Sequence, residues 1–90
     1  MAKKASIHLP LKYVEQMLKA LGLRYSKKDL PDGKGVQLRL TEDAFSIVSV
    51  NVYHGTHSVL VQPHDAPEAE FVRTVFRLRC LRLRQKGIIS

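Results

Sequence analysis

The sequence predicts an α+β fold, a two-layer sandwich in which an antiparallel sheet of three to four strands carries two helices on one face. Strand-like segments occupy the middle of the chain, a tight turn joins two of them, and amphipathic helical patterns lie on either side. A chain of 90 residues supports one hydrophobic core. We therefore expect a single small domain over residues 1–90, with a frayed basic N-terminus at residues 1–5 and a C-terminal tail at residues 85–90.

The first elements are a short strand and a helix. Residues 6–9 alternate between polar and apolar side chains, which predicts the strand. Pro10 suits the first turn of a helix, and Gly22 suits its end. Between them, apolar side chains share one stripe at helical spacing: Leu11, Val14, Leu18 and Leu21. Residues 23–35 are rich in Gly, Pro and basic residues, which predicts a basic loop.

Three further strands are predicted in the middle of the chain. Residues 36–40 alternate strictly, and residues 45–54 are rich in Val, Ile, Phe and Tyr. Gly55 and Thr56 then predict a two-residue hairpin turn of type II′, which pairs Val52 with Val59 and fixes the register. One face of the sheet is then apolar. The other carries mostly hydrogen-bonding groups: His8, Gln37, Arg39, Ser49, Asn51, Tyr53, Ser58, Leu60 and Gln62.

The last element is a helix that starts near Ala66, with Asp65 as its N-cap and Pro67 in its first turn. Its expected buried side contains Phe71, Val72, Val75, Phe76 and Leu78. The opposite side carries a basic stripe of Arg73, Arg77 and Arg84. Residues 77–84 nearly alternate and would also suit a strand, but we favour a helix that continues past the edge of the core. Four apolar residues are then available to a partner: Leu81, Leu83, Ile88 and Ile89.

The net charge of +7 is divided unevenly along the chain. Residues 1–39 carry +6 and residues 71–90 another +6, whereas residues 40–70 contain five acidic and no basic side chains. This segregation favours a polyanion as the partner more than it favours catalysis. We expect five cations to hold phosphates and three polar residues to contact sugar or base: Arg24, Lys27, Lys28, Lys34 and Arg39, with Asn51, Tyr53 and Gln62. The basic stripe on the last helix is a second candidate.

Little in the sequence points to catalysis or to a cofactor. It has no nucleophile elbow, phosphate-cradling glycine loop or plausible acid pair, so we expect a protein that is not an enzyme. His54, His57 and His64 lie at or near an exposed turn, far in sequence from the only thiol, and we expect no metal site. The lone Cys80 suits a reducing compartment. Because no signal peptide or membrane-length apolar segment is present, we expect a cytoplasmic protein with no membrane partner.

Two segments give the chain a resemblance to a known family. Residues 6–9 form a short strand leading into a helix, and residues 53–62 form a hairpin of Tyr, a small turn and an apolar strand ending in Gln. In both, the chain resembles the N-terminal substrate-binding domain of ribonuclease HIII, which has the TATA-box-binding-protein-like fold. The resemblance covers roughly residues 5–72. It departs from the family at Pro63, where a Gly is usual, and no catalytic domain follows. The resemblance implies a sheet face that binds nucleic acid, and no nuclease activity.

A helix-first αβββα order would suit the same segments nearly as well. Such a chain is similar to a double-stranded-RNA-binding domain, but this one lacks that family's basic motif at a helix start. The order of the strands in the sheet is therefore left open.

Two hypotheses of function follow. The first is a small non-catalytic module that binds nucleic acid mainly through charge and with little sequence specificity. The second is a protein-interaction module, in which the Arg-rich last helix forms a homodimer or docks on an acidic protein partner.

Overall fold

A computed structural model describes residues 7–88 of the chain. Its helices and strands follow one another as β1 Ile7–His8, α1 Leu11–Ala20, β2 Tyr25–Asp29, β3 Gly35–Leu40, β4 Ser49–Tyr53, β5 Ser58–Gln62 and α2 Pro67–Gln85. Short 3₁₀ turns lie at Pro31–Gly33 and Asp43–Phe45. The predicted α+β class, with an antiparallel sheet and two helices, is confirmed. Within the described residues the sheet has five strands, where the sequence predicts three to four.

The strand order in the sheet is β1-β5-β4-β3-β2, and every neighbouring pair is antiparallel. β1 and β2 therefore lie at opposite edges, and the segment that contains α1 connects the two edges. A strand precedes the first helix and pairs with β5, through Ile7 opposite Val59. The helix-first order is therefore wrong.

The prediction of a loop at residues 23–35 is also wrong. β2 lies within this segment and pairs with β3 along its whole length, from Tyr25 opposite Leu40 to Asp29 opposite Val36. Four of its five side chains are exposed, so its sequence lacks the alternation of apolar and polar residues that reveals a half-buried strand. Backbone hydrogen bonds hold the strand in the sheet. Its lysines are typical of an edge strand that must not pair with other chains.

A single hydrophobic core lies between the sheet and the helices. Alternate residues of β3, β4 and β5 are buried, as the patterns predict. α1 contributes Val14 and Leu18 to the same cluster, and α2 contributes Val72 and Phe76. Both helices therefore cover the same face of the sheet. Burying one side chain of this size contributes about 1.5–3 kcal/mol to folding.

α1 ends at the predicted glycine. Gly22 has a φ of +73°, which a glycine adopts without strain. The N–H of Gly22 donates to the carbonyl of Lys19 at 3.0 Å, and the N–H of Leu23 donates to the carbonyl of Leu18 at 2.9 Å. These two bonds form a Schellman motif, which satisfies carbonyls at the end of the helix.

The β4–β5 hairpin has the predicted register but a different turn. Val52 pairs with Val59, and the pairs toward residues 49 and 62 follow in step. A type II′ turn needs a positive φ at Gly55, but the positive φ in this loop belongs to His57, at 57°. The carbonyl of His57 accepts the N–H of Leu9 at 2.8 Å. The loop therefore also anchors the chain just after β1, which a hairpin considered alone does not reveal.

The N-cap of α2 lies one residue later than predicted. Ala66, rather than Asp65, is the N-cap, and no side chain caps the helix. Pro67 occupies the first helical position and restricts the preceding residue to extended backbone, which Ala66 shows with a ψ of 136°. This restriction moves the boundary from the acid to the alanine.

The buried side of α2 also differs from the prediction. Phe71 and Leu78 are exposed, whereas Leu83 is 1% exposed and belongs to the core. The core extends along the helix to Leu83, so the prediction that this residue is available to a partner is wrong. Cys80 lies on the buried side and donates from Sγ to the carbonyl of His8 at 3.3 Å. Burial raises the pKa of the Cys80 thiol.

We expect Gly35→Ala to lower the free energy of unfolding by about 2–3 kcal/mol, measured by urea denaturation. A β-carbon on Gly35 would collide with the backbone oxygen of Val52 and lie 2.9 Å from the Cα of Tyr53, so β3 and β4 would have to separate. Gly55→Ala is the matched control. Nothing lies within 4 Å of a β-carbon there, and its effect should stay within about 0.5 kcal/mol. Equal effects of the two substitutions would contradict the prediction.

Candidate nucleic-acid interface

The sheet face opposite the helices, which we call the open face, is formed by alternate residues of the strands. The register aligns these residues in rows that cross the strands. One row contains Lys28, Gln37, Asn51 and Leu60, and the next contains Ser26, Arg39, Ser49 and Gln62. Tyr53, Ser58 and His8 lie at the hairpin end of the face. The structure therefore adds Ser26 and Lys28 to the predicted set of open-face residues.

The open face is divided into a basic half and a neutral half. Lys28 on β2 and Arg39 on β3 are its basic residues. β4 and β5 contain no charged side chain. None of the eight acidic residues of the chain occupies an open-face position of a strand. An anion on this face therefore meets two cations and no carboxylate from the strands.

Two of the five predicted phosphate-binding cations lie together on the open face. Lys28 and Arg39 are exposed, stand on neighbouring strands, and form no ion pair with any residue between 7 and 88. Lys34 is exposed just before β3, and its carbonyl accepts the N–H of His54 at 2.9 Å. Lys34 therefore lies at the end of the sheet that carries Tyr53.

The other two cations are engaged elsewhere. Arg24 lies next to the opposite end of β3, where its carbonyl accepts the N–H of Thr41, and its Nε is 3.6 Å from Glu42 Oε1. Lys27 points to the helix side of the sheet, where its Nζ is 3.4 Å from Glu15 Oε2 on α1. The structure thus does not bring all five cations to one surface.

The three predicted polar contacts share the neutral half of the open face. Asn51 lies between Gln37 and Leu60 on the neighbouring strands, and Gln62 lies opposite Ser49. The Oδ1 atom of Asn51 is buried and has no hydrogen-bond partner among the described residues. An unpaired buried oxygen is unfavourable, so a hydrogen-bond donor that reached it would gain more than at a solvated position. Tyr53 is partly exposed at the hairpin end.

Glu15 organises the other side of β2. It accepts the hydroxyl of Tyr25 at 2.7 Å and lies near Lys27, so one carboxylate on α1 holds two alternate residues of the edge strand. Burial, together with the hydrogen bond and the negative charge of Glu15, raises the pKa of Tyr25 to about 12 from its ordinary 10.0. The cluster attaches β2 to the helical layer.

The raised pKa makes stability fall at high pH. Because the folded state binds the Tyr25 proton more tightly than the unfolded chain does, this contribution is complete below pH 10 and is lost as the pH rises toward about 12. We expect absorbance titration at 295 nm to show one tyrosine that ionises at a higher pH than the others. Tyr25→Phe should remove that transition. The same variant should lower the free energy of unfolding by about 1 kcal/mol at neutral pH, because Glu15 loses the hydroxyl donor at 2.7 Å and, among residues 7–88, keeps only Lys27. An unchanged titration in Tyr25→Phe would contradict this assignment.

The predicted basic stripe on α2 does not exist as one surface. Arg73 is 7% exposed, and its Nη2 donates to the carbonyls of Val61, Pro63 and His64 at 3.1, 3.0 and 2.7 Å. Its Nη1 donates to Glu70. Both terminal nitrogens of Arg73 therefore form hydrogen bonds within the chain, which makes it a structural residue. Of the other two residues, Arg77 is partly buried and lies 3.6 Å from Glu70, and Arg84 is exposed.

The predicted partner residues are likewise divided. Leu81 and Ile88 are exposed, at 52% and 51%. Leu83 is in the core, and Ile89 lies outside the described residues.

Two concave regions of the described surface lie away from the open-face positions. A shallow depression of about 710 Å³ is lined by Lys19, Gly22, Leu23, Arg24, Tyr25 and Thr41. A groove of about 230 Å³ between the helices is lined by Met17, Val75, Leu78, Arg79 and Arg82. Between residues 7 and 88, no three His, Cys, Asp or Glu side chains are grouped as metal ligands would be. No helix in this part of the chain combines the length and apolar character needed to span a membrane.

Comparison with models of protein families, with curated proteins and with solved structures found no match in any of the three. The resemblance to the ribonuclease HIII domain therefore stays a prediction. A function for this chain has to be argued from its own surfaces.

Proposed function

We propose that the protein is a small non-catalytic nucleic-acid-binding module whose ligand lies across the open face. The observation that carries the proposal is the composition of that face: two cations unpaired with any residue from 7 to 88 on one half, hydrogen-bonding groups and one aromatic ring on the other, and no carboxylate at an open-face position of a strand. Nucleic acids present phosphates and base edges side by side. Lys28 and Arg39 would hold phosphates, while Asn51 and Gln62 would contact sugar or base.

The spacing of the strands suits such a ligand. Neighbouring strands lie about 4.8 Å apart, so Lys28 and Asn51, two strands apart in one row, are separated by about 10 Å across the sheet. Arg39 and Gln62 repeat this separation in the next row. Long basic side chains can therefore reach a backbone while the neutral half faces the bases. Tyr53 offers a ring on which a base can stack.

The charge available at this site limits the affinity and sets its salt dependence. Lys28, Arg39 and the nearby Lys34 give three phosphate contacts. Each contact with a single strand contributes about −0.7 to the slope of log K against log salt concentration, so we expect a slope of about −2. Binding should therefore be weak at physiological salt. Specificity should be low, because few side chains reach base edges.

The choice of this face agrees with what the resemblance to the ribonuclease HIII substrate-binding domain implies. The two segments behind that resemblance are β1 with the start of α1, and the β4–β5 hairpin that ends at Gln62. Both segments border or form the open face.

The test is fluorescence anisotropy with labelled single-stranded DNA, duplex DNA, duplex RNA and an RNA/DNA hybrid, each over a series of salt concentrations. Support for the proposal is binding to at least one of them with a slope near −2 for a single strand or about −2.7 for duplex DNA. The ranking of the four ligands would identify the preferred form. Absence of binding to all four at low salt would overturn the proposal.

A further inference from the structure

An apolar seam runs along the outer side of α2. Among the described residues, six large apolar side chains are notably exposed, and four of them belong to α2 or its end: Phe71, Leu78, Leu81 and Ile88, at 48%, 59%, 52% and 51%. They are separated by seven, three and seven residues. Within α2, Phe71, Leu78 and Leu81 alternate with the exposed Thr74 and Gln85 at spacings of three and four, which is the heptad spacing of helices that pair.

The seam lies on the side of α2 that faces away from the sheet. At its start the ring of Phe71 contacts Phe45 of the same chain, with ring centroids 5.9 Å apart, and Leu78 also lines the groove between the helices. The buried residues of α2 include Ala69, Val72, Phe76, Cys80 and Leu83, which share the side of the helix that faces the sheet. A helix that only covers a sheet needs one apolar side, with polar residues opposite. α2 has two apolar sides. Ile88 lies just past the end of the helix, after Gly87 with a φ of +72°, and its N–H donates to the carbonyl of Leu83 at 2.9 Å.

We propose that a second copy of the chain covers this seam, with the two α2 helices packed side by side and antiparallel. In this arrangement Phe71 packs opposite Leu81 of the partner subunit, and Thr74 packs opposite Leu78 of the partner subunit. The two-fold axis passes between these layers, so every contact occurs twice. The proposal uses no open-face residue and is independent of the proposed function.

Charge complementarity selects a second copy and fixes the orientation. The residues that flank the seam are acidic in the first turn of α2 and basic in the last turn: Glu68 and Glu70 at the start, Arg82 and Arg84 at the end. Antiparallel pairing brings Glu68 opposite Arg82 twice, and it brings Arg84 near Glu70, whose carboxylate already lies beside Arg73 and Arg77 of its own chain. The two helix dipoles are also antiparallel, so the positive end of each helix lies beside the negative end of the other, which is favourable.

One like-charge contact remains at the centre of the antiparallel pair, between the two Arg77 side chains. Each Arg77 already lies 3.6 Å from Glu70 of its own chain, which offsets this repulsion. Parallel pairing would instead bring Arg77 beside Arg82 of the partner subunit twice and leave the acids at the far end. The antiparallel dimer is therefore the favoured one.

The interface is a single pair of helices, which is small for a protein dimer. We therefore expect an equilibrium between monomer and dimer that shifts with concentration. The sheets lie on the outer sides of the paired helices, so the two open faces point away from each other.

Sedimentation velocity of the full chain over a series of concentrations tests the dimer. The wild-type protein should sediment increasingly as a dimer as its concentration rises. Leu78→Asp with Leu81→Asp should weaken the dimer more than about tenfold, because two exposed seam residues become charged. Ile47→Asp with Leu60→Asp makes the same change at exposed apolar residues elsewhere and should leave the dimer intact. A wild-type monomer at every concentration, or equal loss in both double variants, would overturn the proposal.

A charge exchange tests the orientation. Glu68→Arg alone places like charges together at two sites and should weaken the dimer, whereas Glu68→Arg combined with Arg82→Glu restores opposite charges and should recover it. Circular dichroism confirms that each variant is folded. If the double variant dimerises no better than the single one, the antiparallel pairing is wrong. Loss of nucleic-acid binding in the anisotropy assay with an intact dimer would overturn only the proposed function.

Discussion

Arg73→Ala should lower the free energy of unfolding by about 4 kcal/mol, the largest effect that we expect from any single substitution in this protein. The side chain is almost fully buried and joins three carbonyls of β5 and the following segment to Glu70 on α2. Removing one partner from a buried charged network typically costs about 3–5 kcal/mol, because the groups left behind are neither paired nor solvated. A domain of 90 residues has a total stability of only about 5–13 kcal/mol.

Urea denaturation measures this effect, and two variants control for it. Arg84→Ala removes the same side chain from an exposed position of the same helix and should change stability by less than about 0.5 kcal/mol. Arg73→Lys keeps the charge but loses the planar fork, so it should cost about 2 kcal/mol. A loss for Arg73→Ala no greater than that for Arg84→Ala would show that the carbonyls find other partners.

Arg73 also shows where sequence patterns fail. Its spacing from Arg77 and Arg84 predicts an exposed basic stripe, yet Arg73 lies beside Val72 and Phe76 on the buried side of α2. The carbonyls that it satisfies belong to residues 61–64, which are distant from the helical pattern. A charged residue next to core positions could have suggested a buried role, but its partners depend on where β5 ends relative to α2.

Patterns succeed where one face of an element is buried and the other is solvated. β3, β4 and β5 alternate in sequence because they alternate in burial, and the valines of β4 and β5 fix the register whichever turn joins them. The same rule explains why β2 is missed. On its inner side Tyr25 packs against the core, but Lys27 contacts a carboxylate on α1 and Asp29 is exposed, so both sides of this strand carry polar residues.

The candidate site contains residues whose position the sequence predicts and residues whose position it does not. Asn51, Tyr53 and Gln62 share a face because the hairpin register is predictable. Lys28 lies on that face and Lys27 lies on the helix side, because β2 is a strand and neighbouring side chains of a strand point to opposite sides. As a loop, the same segment would offer both lysines to one ligand.

The second large effect concerns Lys28 and Arg39, the two cations that β2 and β3 place on the open face. Lys28→Glu with Arg39→Glu should weaken binding of single-stranded or duplex nucleic acid by at least about a hundredfold at low salt, because two phosphate contacts are lost and two repulsions replace them. The residual binding should show a shallower salt dependence. Both side chains are exposed and unpaired with any residue from 7 to 88, so the fold should not change. Anisotropy titrations measure the affinity, and circular dichroism checks the fold.

The control for this experiment has to carry the same net charge. Lys12→Glu with Lys19→Glu lowers the charge by the same four units but places the change on exposed positions of α1, on the helical side of the sheet. If the open face is the binding surface, this variant should lose less than about tenfold, through long-range repulsion alone. Equal losses in the two double variants would mean that overall charge governs binding, and the open face would then have no special role. A hundredfold loss confined to Lys28 and Arg39 can come only from contact at those residues, since the net charge of the two proteins is identical.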